Sequence, residues 1–292
     1  MPSAISHQQS EIARVAVIGA GTMGHGIAQV AAMAGYETRL TDANGEALAT
    51  AWKRIESNLA GAVSRGKLTQ EQAVAATARV TPVADLEMAV RDADLVIEAV
   101  VEDLDVKQAL FTQLDVAVRD SAILATNTSS LSVGRIAQAT KHPRRVVGMH
   151  FFNPVHIMKL VEVVTHDSCD ASVAAATRAA AERMGKTTIL VRDTPGFASS
   201  RLGVALGLEA MRMLEDGVAS AADIDTAMEL GYGHPMGPLR LTDLVGLDVR
   251  LKIAEYLQRE LGDDKFAPPR VLREKVARGE LGKKTGKGFY EW

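Results

Sequence analysis

The chain has 292 residues, enough for one large or two medium domains, and at 47% hydrophobic content it can build a sizeable core. Its formal charge of −3 excludes the basic field of a nucleic-acid binder. No run of about 20 apolar residues offers a membrane span, and the single cysteine, Cys169, rules out an intrachain disulfide and points to a reducing, cytoplasmic setting.

Residues 1–11 are polar, lack the basic and apolar regions of a signal peptide, and read as a disordered tail. Then comes Val15-Ala-Val-Ile-Gly19-Ala-Gly21-Thr22-Met23-Gly24, an apolar β-branched run leading into G-x-G-x-x-G. A helix-like segment follows to Gly35, and a second strand-like run, Glu37–Thr41, closes on Asp42. Strand, glycine turn, helix, strand and acid stand in the order of a dinucleotide-binding βαβ unit. Gly19 permits the tight turn, Gly21 lets a pyrophosphate approach the backbone, and Gly24 lets helix and strand pack closely. The helix start offers N–H donors to the phosphates. Asp42 follows at about 20 residues, the spacing of a ribose-binding acid. A carboxylate there, with Ala43 beside it, favours NAD over NADP.

Residues 45–78 carry helical spacing, interrupted at Ser64-Arg65-Gly66-Lys67, and read as an inserted helical hairpin with a basic turn. Arg65 and Lys67 form either a solvated loop or a landing site for a polyanionic substrate. Arg79–Val83 reads as a short strand, Leu86–Asp92 as a short helix, and Leu95–Val101 as a buried parallel strand. That strand places Glu98 inside the run and Glu102 just at its end. Ligands bind at strand C-terminal ends, so Glu102 is the expected cofactor-region residue. A helix over 104–118 precedes the strand Ala122–Thr126. Asn127-Thr-Ser129-Ser130 then suits a binding loop and suits equally a plain helix cap.

Arg145–His150 reads as a strand running into Phe-Phe-Asn153-Pro154, and Lys159–Val164 as a further strand holding Glu162 between apolar neighbours. A carboxylate in an apolar strand is costly unless paired. His150 is either an ordinary core histidine or the partner of Glu162, with the acid accepting Nδ1–H and Nε2 left as the base. A helix over 172–184 and the strand Thr187–Val191 end this alternation, and Asp193-Thr-Pro-Gly-Phe197 breaks it. Beyond lie long helical stretches: 199–216, the helix after Ser220, 239–261 and 271–278, then the basic glycine-rich end Gly282–Tyr290. The expected fold class is α/β, a Rossmann-type doubly wound sheet over 12–192 with an all-helical domain over 193–292. The helical segment is apolar enough to form a dimer face. No metal site is expected.

Together the motifs resemble the L-3-hydroxyacyl-CoA dehydrogenases, including the bacterial 3-hydroxybutyryl-CoA dehydrogenase type. The resemblance runs over residues 12–291. It rests on Val-Ile-Gly-Ala-Gly-Thr-Met-Gly at 17–24, Asn-Thr-Ser-Ser-Leu at 127–131, Gly-Met-His-Phe-Phe-Asn-Pro at 148–154, Lys-Leu-Val-Glu-Val-Val at 159–164, Asp-Thr-Pro-Gly-Phe at 193–197, Asp-Ile-Asp-Thr-Ala-Met at 223–228, His-Pro-Met-Gly-Pro at 234–238 and the glycine-rich end at 282–290. It implies NAD-dependent oxidation of a 3-hydroxyacyl-CoA, with His150 as base, Glu162 as its orienting partner and Ser129 on the substrate oxygen. It implies Asp42, Glu102, Lys107, Asn153 and Lys284 near NAD, and Asn58, Arg65 and Lys67 near CoA. It also implies a homodimer through the helical domain. One position departs: Ser200 stands where the family commonly has Asn, a shorter side chain at a substrate-site position. A dehydrogenase of a free hydroxy or sugar acid, or a non-catalytic NAD-binding protein, remains as an alternative.

Overall fold

A computed structural model describes residues 12–292; the tail expected over 1–11 lies outside the described residues. The chain divides into two compact units between Asp193 and Thr194. In the first, strands β1 (Arg14–Ile18), β2 (Glu37–Thr41), β3 (Val80–Pro82), β4 (Leu95–Glu98), β5 (Ile123–Thr126), β6 (Val146–Phe151), β7 (Leu160–Thr165) and β8 (Thr187–Arg192) form one sheet. Its order is β3-β2-β1-β4-β5-β6-β7-β8. All neighbours pair parallel except β6 and β7, which are antiparallel. Helices α1 (Gly24–Met33), α2 (Gly45–Ser64), α3 (Gln70–Ala78), α4 (Leu86–Val90), α5 (Leu104–Ala117), α6 (Val133–Ala137) and α7 (Ala171–Arg183) connect the strands. The strand order reverses between β1 and β4, and that switch point opens a crevice at the strand C-termini.

Register brings the chemistry to one edge. Ile18 pairs with Glu98, and Glu98 with Thr126. Three successive strands therefore end at the same level, and the glycine turn, residues 99–103 and residues 127–131 emerge side by side. The expected strand to Val101 stops instead at Glu98. A Cβ on Gly19 would lie 2.6 Å from the Ala99 carbonyl oxygen, so the chain leaves the sheet there to pass over the glycine turn. Glu98 is thus the last residue of the strand, and Glu102 sits in the loop beyond it. The second helix of the hairpin is capped: Thr69 and Gln72 form a reciprocal capping box at the start of α3.

The second unit contains α8 (Ser199–Glu215), α9 (Ala221–Tyr232), α10 (Pro238–Val245), α11 (Leu247–Leu261) and α12 (Arg270–Ala277). The single helix expected over 239–261 is two helices. Gly246 takes φ +105°, a left-handed conformation open to glycine, and turns the chain between α10 and α11. The chain end is tied to α10 by one buried carboxylate. Asp243 accepts from the backbone N–H of Phe289 at 2.8 Å and Tyr290 at 2.9 Å, and from Trp292 Nε1 at 2.9 Å. Arg240 stacks over the rings of Tyr290 and Trp292. Among the described residues, no helix is long and apolar enough to cross a membrane.

Asp243→Ala strands three donors in a site with no exposed carboxylate surface. We expect the helical unit to lose about 3 kcal/mol of stability in urea denaturation followed by tryptophan fluorescence. A loss under about 0.5 kcal/mol, the range of a neutral surface substitution, would show that the clasp does not hold the chain end.

Candidate active site

The glycine turn has the shape of a pyrophosphate cradle. Gly19 takes φ +96°, and a Cβ on Gly24 would stand 1.6 Å from the Gly19 carbonyl oxygen, so both are demanded by the protein itself. Gly21 is different: a Cβ there would meet no protein atom within 4 Å. Packing does not require glycine at that position, and its open backbone leaves room for a ligand to approach. The start of α1, after Thr22 and Met23, has no side-chain cap and no acid in its first turn, which leaves its dipole end for an anion. Asp42 sits at the end of β2. Its carboxylate accepts from Ala20 N–H at 2.6 Å and Asn44 N–H at 2.8 Å, joining the ribose position to the glycine turn. A mostly apolar cleft of about 640 Å³ opens between them, lined by Gly19, Gly21, Asp42, Ala43, Val100 and Val101. Its shape and lining suit the adenosine half of a dinucleotide.

The next strand ends form a buried polar network. Glu98 accepts from Lys107 Nζ at 2.6 Å, from Val100 N–H at 2.7 Å and from Thr126 Oγ1 at 2.7 Å. Both side chains of the Glu98–Lys107 pair are wholly buried. Lys107 Nζ also lies 3.4 Å from Glu102. Glu102 in turn accepts from Thr128 Oγ1 at 2.6 Å, Ser129 N–H at 2.8 Å and Ser129 Oγ at 3.1 Å. Residues 127–130 are therefore not the cap of α6; that task falls to Ser132, which accepts from Arg135 N–H. Asn127 ties the loop to the next strand by accepting from Phe151 N–H at 2.8 Å. Composition alone made Glu98 an interior strand acid. Its pairing was not visible until the strand ended and α5 brought Lys107, nine residues on, against it.

His150 and Glu162 face each other across the antiparallel β6–β7 pair as direct register partners. Eight residues, 152–159, connect the two strands, and that length sets the register. His150 Nδ1 lies 2.7 Å from Glu162 Oε2. Glu162 is wholly buried and His150 is 7% exposed. The carboxylate is shielded from water, accepts the Nδ1 proton and fixes the tautomer in which Nε2 is basic. The Phe152 ring packs on the imidazole at 4.5 Å between centroids.

The remaining candidates are placed as follows. Asn153 is exposed just after β6. Asn58, on α2, donates to Gln29 Oε1 at 3.0 Å. Arg65 and Lys67 are exposed at the end of α2. Their surroundings are positive: burial and the charges of His25, Lys186 and Arg65 hold His156 below its ordinary pKa. Ser200 is half-buried in the first turn of α8, and Lys284 pairs with Asp248 at 2.6 Å; both belong to the second unit. Among the described residues, no group of three or more His, Cys, Asp or Glu is arranged to hold a metal ion.

Comparison with known proteins gives the same picture over the whole chain. Residues 14–194 match the NAD-binding domain of 3-hydroxyacyl-CoA dehydrogenase, and residues 196–292 match the C-terminal domain of the same enzymes. A 3-hydroxybutyryl-CoA dehydrogenase of Mycobacterium tuberculosis is 46% identical over 284 residues, covering 96% of this chain and 99% of its own. One from Bradyrhizobium diazoefficiens is 40% identical and covers 96% of each chain. The crystal structure of (S)-3-hydroxybutyryl-CoA dehydrogenase from Ralstonia eutropha superposes with a TM-score of 0.93 at 38% identity, over 97% of this chain and 99% of that one.

The glycine cradle yields two expectations. Gly21→Ala leaves thermal stability unchanged and weakens NADH binding about tenfold; unaltered NADH affinity would mean that no phosphate approaches this backbone. With Asp42 intact, kcat/KM for NADH exceeds that for NADPH by about 100-fold or more, since a 2′-phosphate would face a carboxylate. Comparable use of both nucleotides would contradict the role given to Asp42. From the cradle, the cross-strand dyad and the two matched domains, the chain belongs to the 3-hydroxyacyl-CoA dehydrogenase family, NAD-dependent oxidoreductases.

Proposed function

We propose that the protein interconverts an (S)-3-hydroxyacyl-CoA and the corresponding 3-oxoacyl-CoA, with short acyl chains of the 3-hydroxybutyryl class as its substrates. The observation that carries this reading is the buried His150–Glu162 pair. A protein that only binds NAD has no use for a desolvated base with an orienting carboxylate. The relatives named above, and the solved neighbour, carry the names of 3-hydroxybutyryl-CoA dehydrogenases.

NAD, when bound, supplies the hydride acceptor for C3 of the substrate. The protein supplies the rest. His150 Nε2 takes the proton of the 3-hydroxyl, and in the reduction direction it returns that proton to the forming alkoxide. Glu162 holds the ring in place and stabilises the imidazolium while the proton is on it. Ser129, at the adjacent strand end, hydrogen-bonds the same substrate oxygen and fixes C3 relative to the base. Gly19, Gly21, Gly24 and the start of α1 seat the pyrophosphate; Asp42 takes the adenosine ribose; Glu102 and Asn153 border the nicotinamide end, and Lys107, wholly buried, stands behind Glu102 rather than at the cofactor. Asn58, Arg65 and Lys67 receive the CoA moiety, whose phosphates suit the positive surroundings of His156.

A homodimer is part of the same proposal. The helical unit leaves Leu202, Leu230, Tyr232, Leu244 and Val249 exposed, apolar side chains that a second copy would cover. Cytoplasmic residence agrees with the lone, half-buried Cys169.

His150→Ala should lower kcat by a factor on the order of 10² to 10⁴ with little change in NADH affinity. Retained turnover would remove His150 from the base role. Glu162→Gln keeps the volume but no longer enforces the tautomer, so kcat falls on the order of 10²-fold; wild-type turnover would mean that the dyad does not act in catalysis. Replacing both Arg65 and Lys67 by Ala should raise KM for acetoacetyl-CoA about fivefold to tenfold, leaving kcat near wild type. If KM does not move, the basic turn is a solvated loop.

A further inference from the structure

Beyond the dyad, a second buried ionic element lies at the strand ends. We infer that Glu98 is a positioning residue for the reaction: through Lys107 and Glu102 it sets where the Ser129 hydroxyl sits. The inference rests on the reading of Ser129 as the residue that binds the substrate oxygen.

The geometry is a chain of charges and donors leading outward. Glu98 is the last residue of β4, wholly buried, with both carboxylate oxygens occupied. Thr126 and Val100 hold it on two sides, so it is anchored to β5 and to the start of the loop after β4. Lys107 is also wholly buried, an uncommon position for an ammonium, tolerable because Glu98 stands 2.6 Å away. Lys107 then faces the second carboxylate, Glu102, at 3.4 Å. Glu102 is 38% exposed by side chain and lies in a loop. The buried ammonium faces one carboxylate oxygen of Glu102, Oε2, and leaves Oε1 to the neighbouring loop. Thus held, Glu102 receives three hydrogen bonds from the 127–131 loop, two of them from Ser129.

The charge balance predicts what removing Glu98 does. With Glu98→Gln, the Lys107 ammonium keeps only Glu102 as a carboxylate neighbour. Glu102 is drawn toward it and away from Ser129. Glu98→Gln should reduce kcat about tenfold. Because the lost function passes through Ser129, Glu98→Gln added to Ser129→Ala should reduce kcat no further than Ser129→Ala does alone. A buried lysine without its partner threatens folding. The variant Glu98→Gln with Lys107→Met removes both charges, restores a folded protein, and still severs the link to Glu102. It should show the same tenfold loss and the same non-additivity with Ser129→Ala.

The experiment is this double-mutant cycle, read as kcat and KM in both directions beside thermal stability. Losses in kcat that do not add to the loss of Ser129→Ala, seen also in the folded double-charge variant, support the inference. Additive losses, or wild-type kcat in the folded double-charge variant, overturn it. If Ser129→Ala itself leaves kcat/KM at the wild-type value, the reading of Ser129 has failed, and the inference falls with it for a separately visible reason.

Discussion

A fully buried carboxylate in the middle of a strand is the constraint on which this site depends. Glu162 cannot sit ionised inside the sheet alone, because burying an unpaired charge costs far more than a domain can spare. The sheet solves this by reversing its direction between β6 and β7. The antiparallel placement of β7 beside β6 puts Glu162 directly opposite His150, within a 2.7 Å hydrogen bond. What relieves the carboxylate also orients the imidazole, so one interaction serves both folding and chemistry. The rest of the first unit positions that pair at a ligand crevice.

The parallel strands supply the crevice. β1, β4 and β5 end in register, so the glycine turn, the Glu98–Lys107 pair and the Ser129 loop emerge at a common level. Asn127 then joins the β5 end to the β6 end through Phe151, which brings His150 into the same row. Two loops and one strand residue are each held by a carboxylate rather than by packing alone: Asp42 on the glycine turn, Glu102 on the Ser129 loop, and Glu162 on His150 of β6. Directed hydrogen bonds to charged acceptors fix geometry more sharply than apolar contact does. That sharpness suits a site where donor, base and hydride acceptor must meet within a few tenths of an ångström.

Much of this was legible in the residue order. The βαβ unit announces itself because glycine spacing, β-branched runs and the terminal acid are local signals. The doubly wound sheet follows from the alternation of those signals along the chain. The pairing of His150 with Glu162 could be suspected from the cost of a buried acid, yet only the register of β6 and β7 makes them neighbours. Other features had no local signal. Ala99, Val100 and Val101 look like more strand, and the strand stops at Glu98 only because residue 99 must cross Gly19. A helical pattern runs through Gly246, and only its left-handed φ divides the helix. The Glu98–Lys107 pair depends on how α5 packs back on β4, a tertiary fact. The glycine at 21 and its use were expected from the motif, but that no protein atom crowds it is read from the structure alone.

The account stands on one claim: this dyad acts on a 3-hydroxyacyl group presented as a CoA thioester. The most direct test is NADH oxidation by the purified protein with acetoacetyl-CoA, run beside free acetoacetate at the same concentration. The account predicts rapid turnover of the thioester and none above background for the free acid. Turnover of free acetoacetate at a comparable rate, or of neither substrate by a protein that binds NADH, would contradict it.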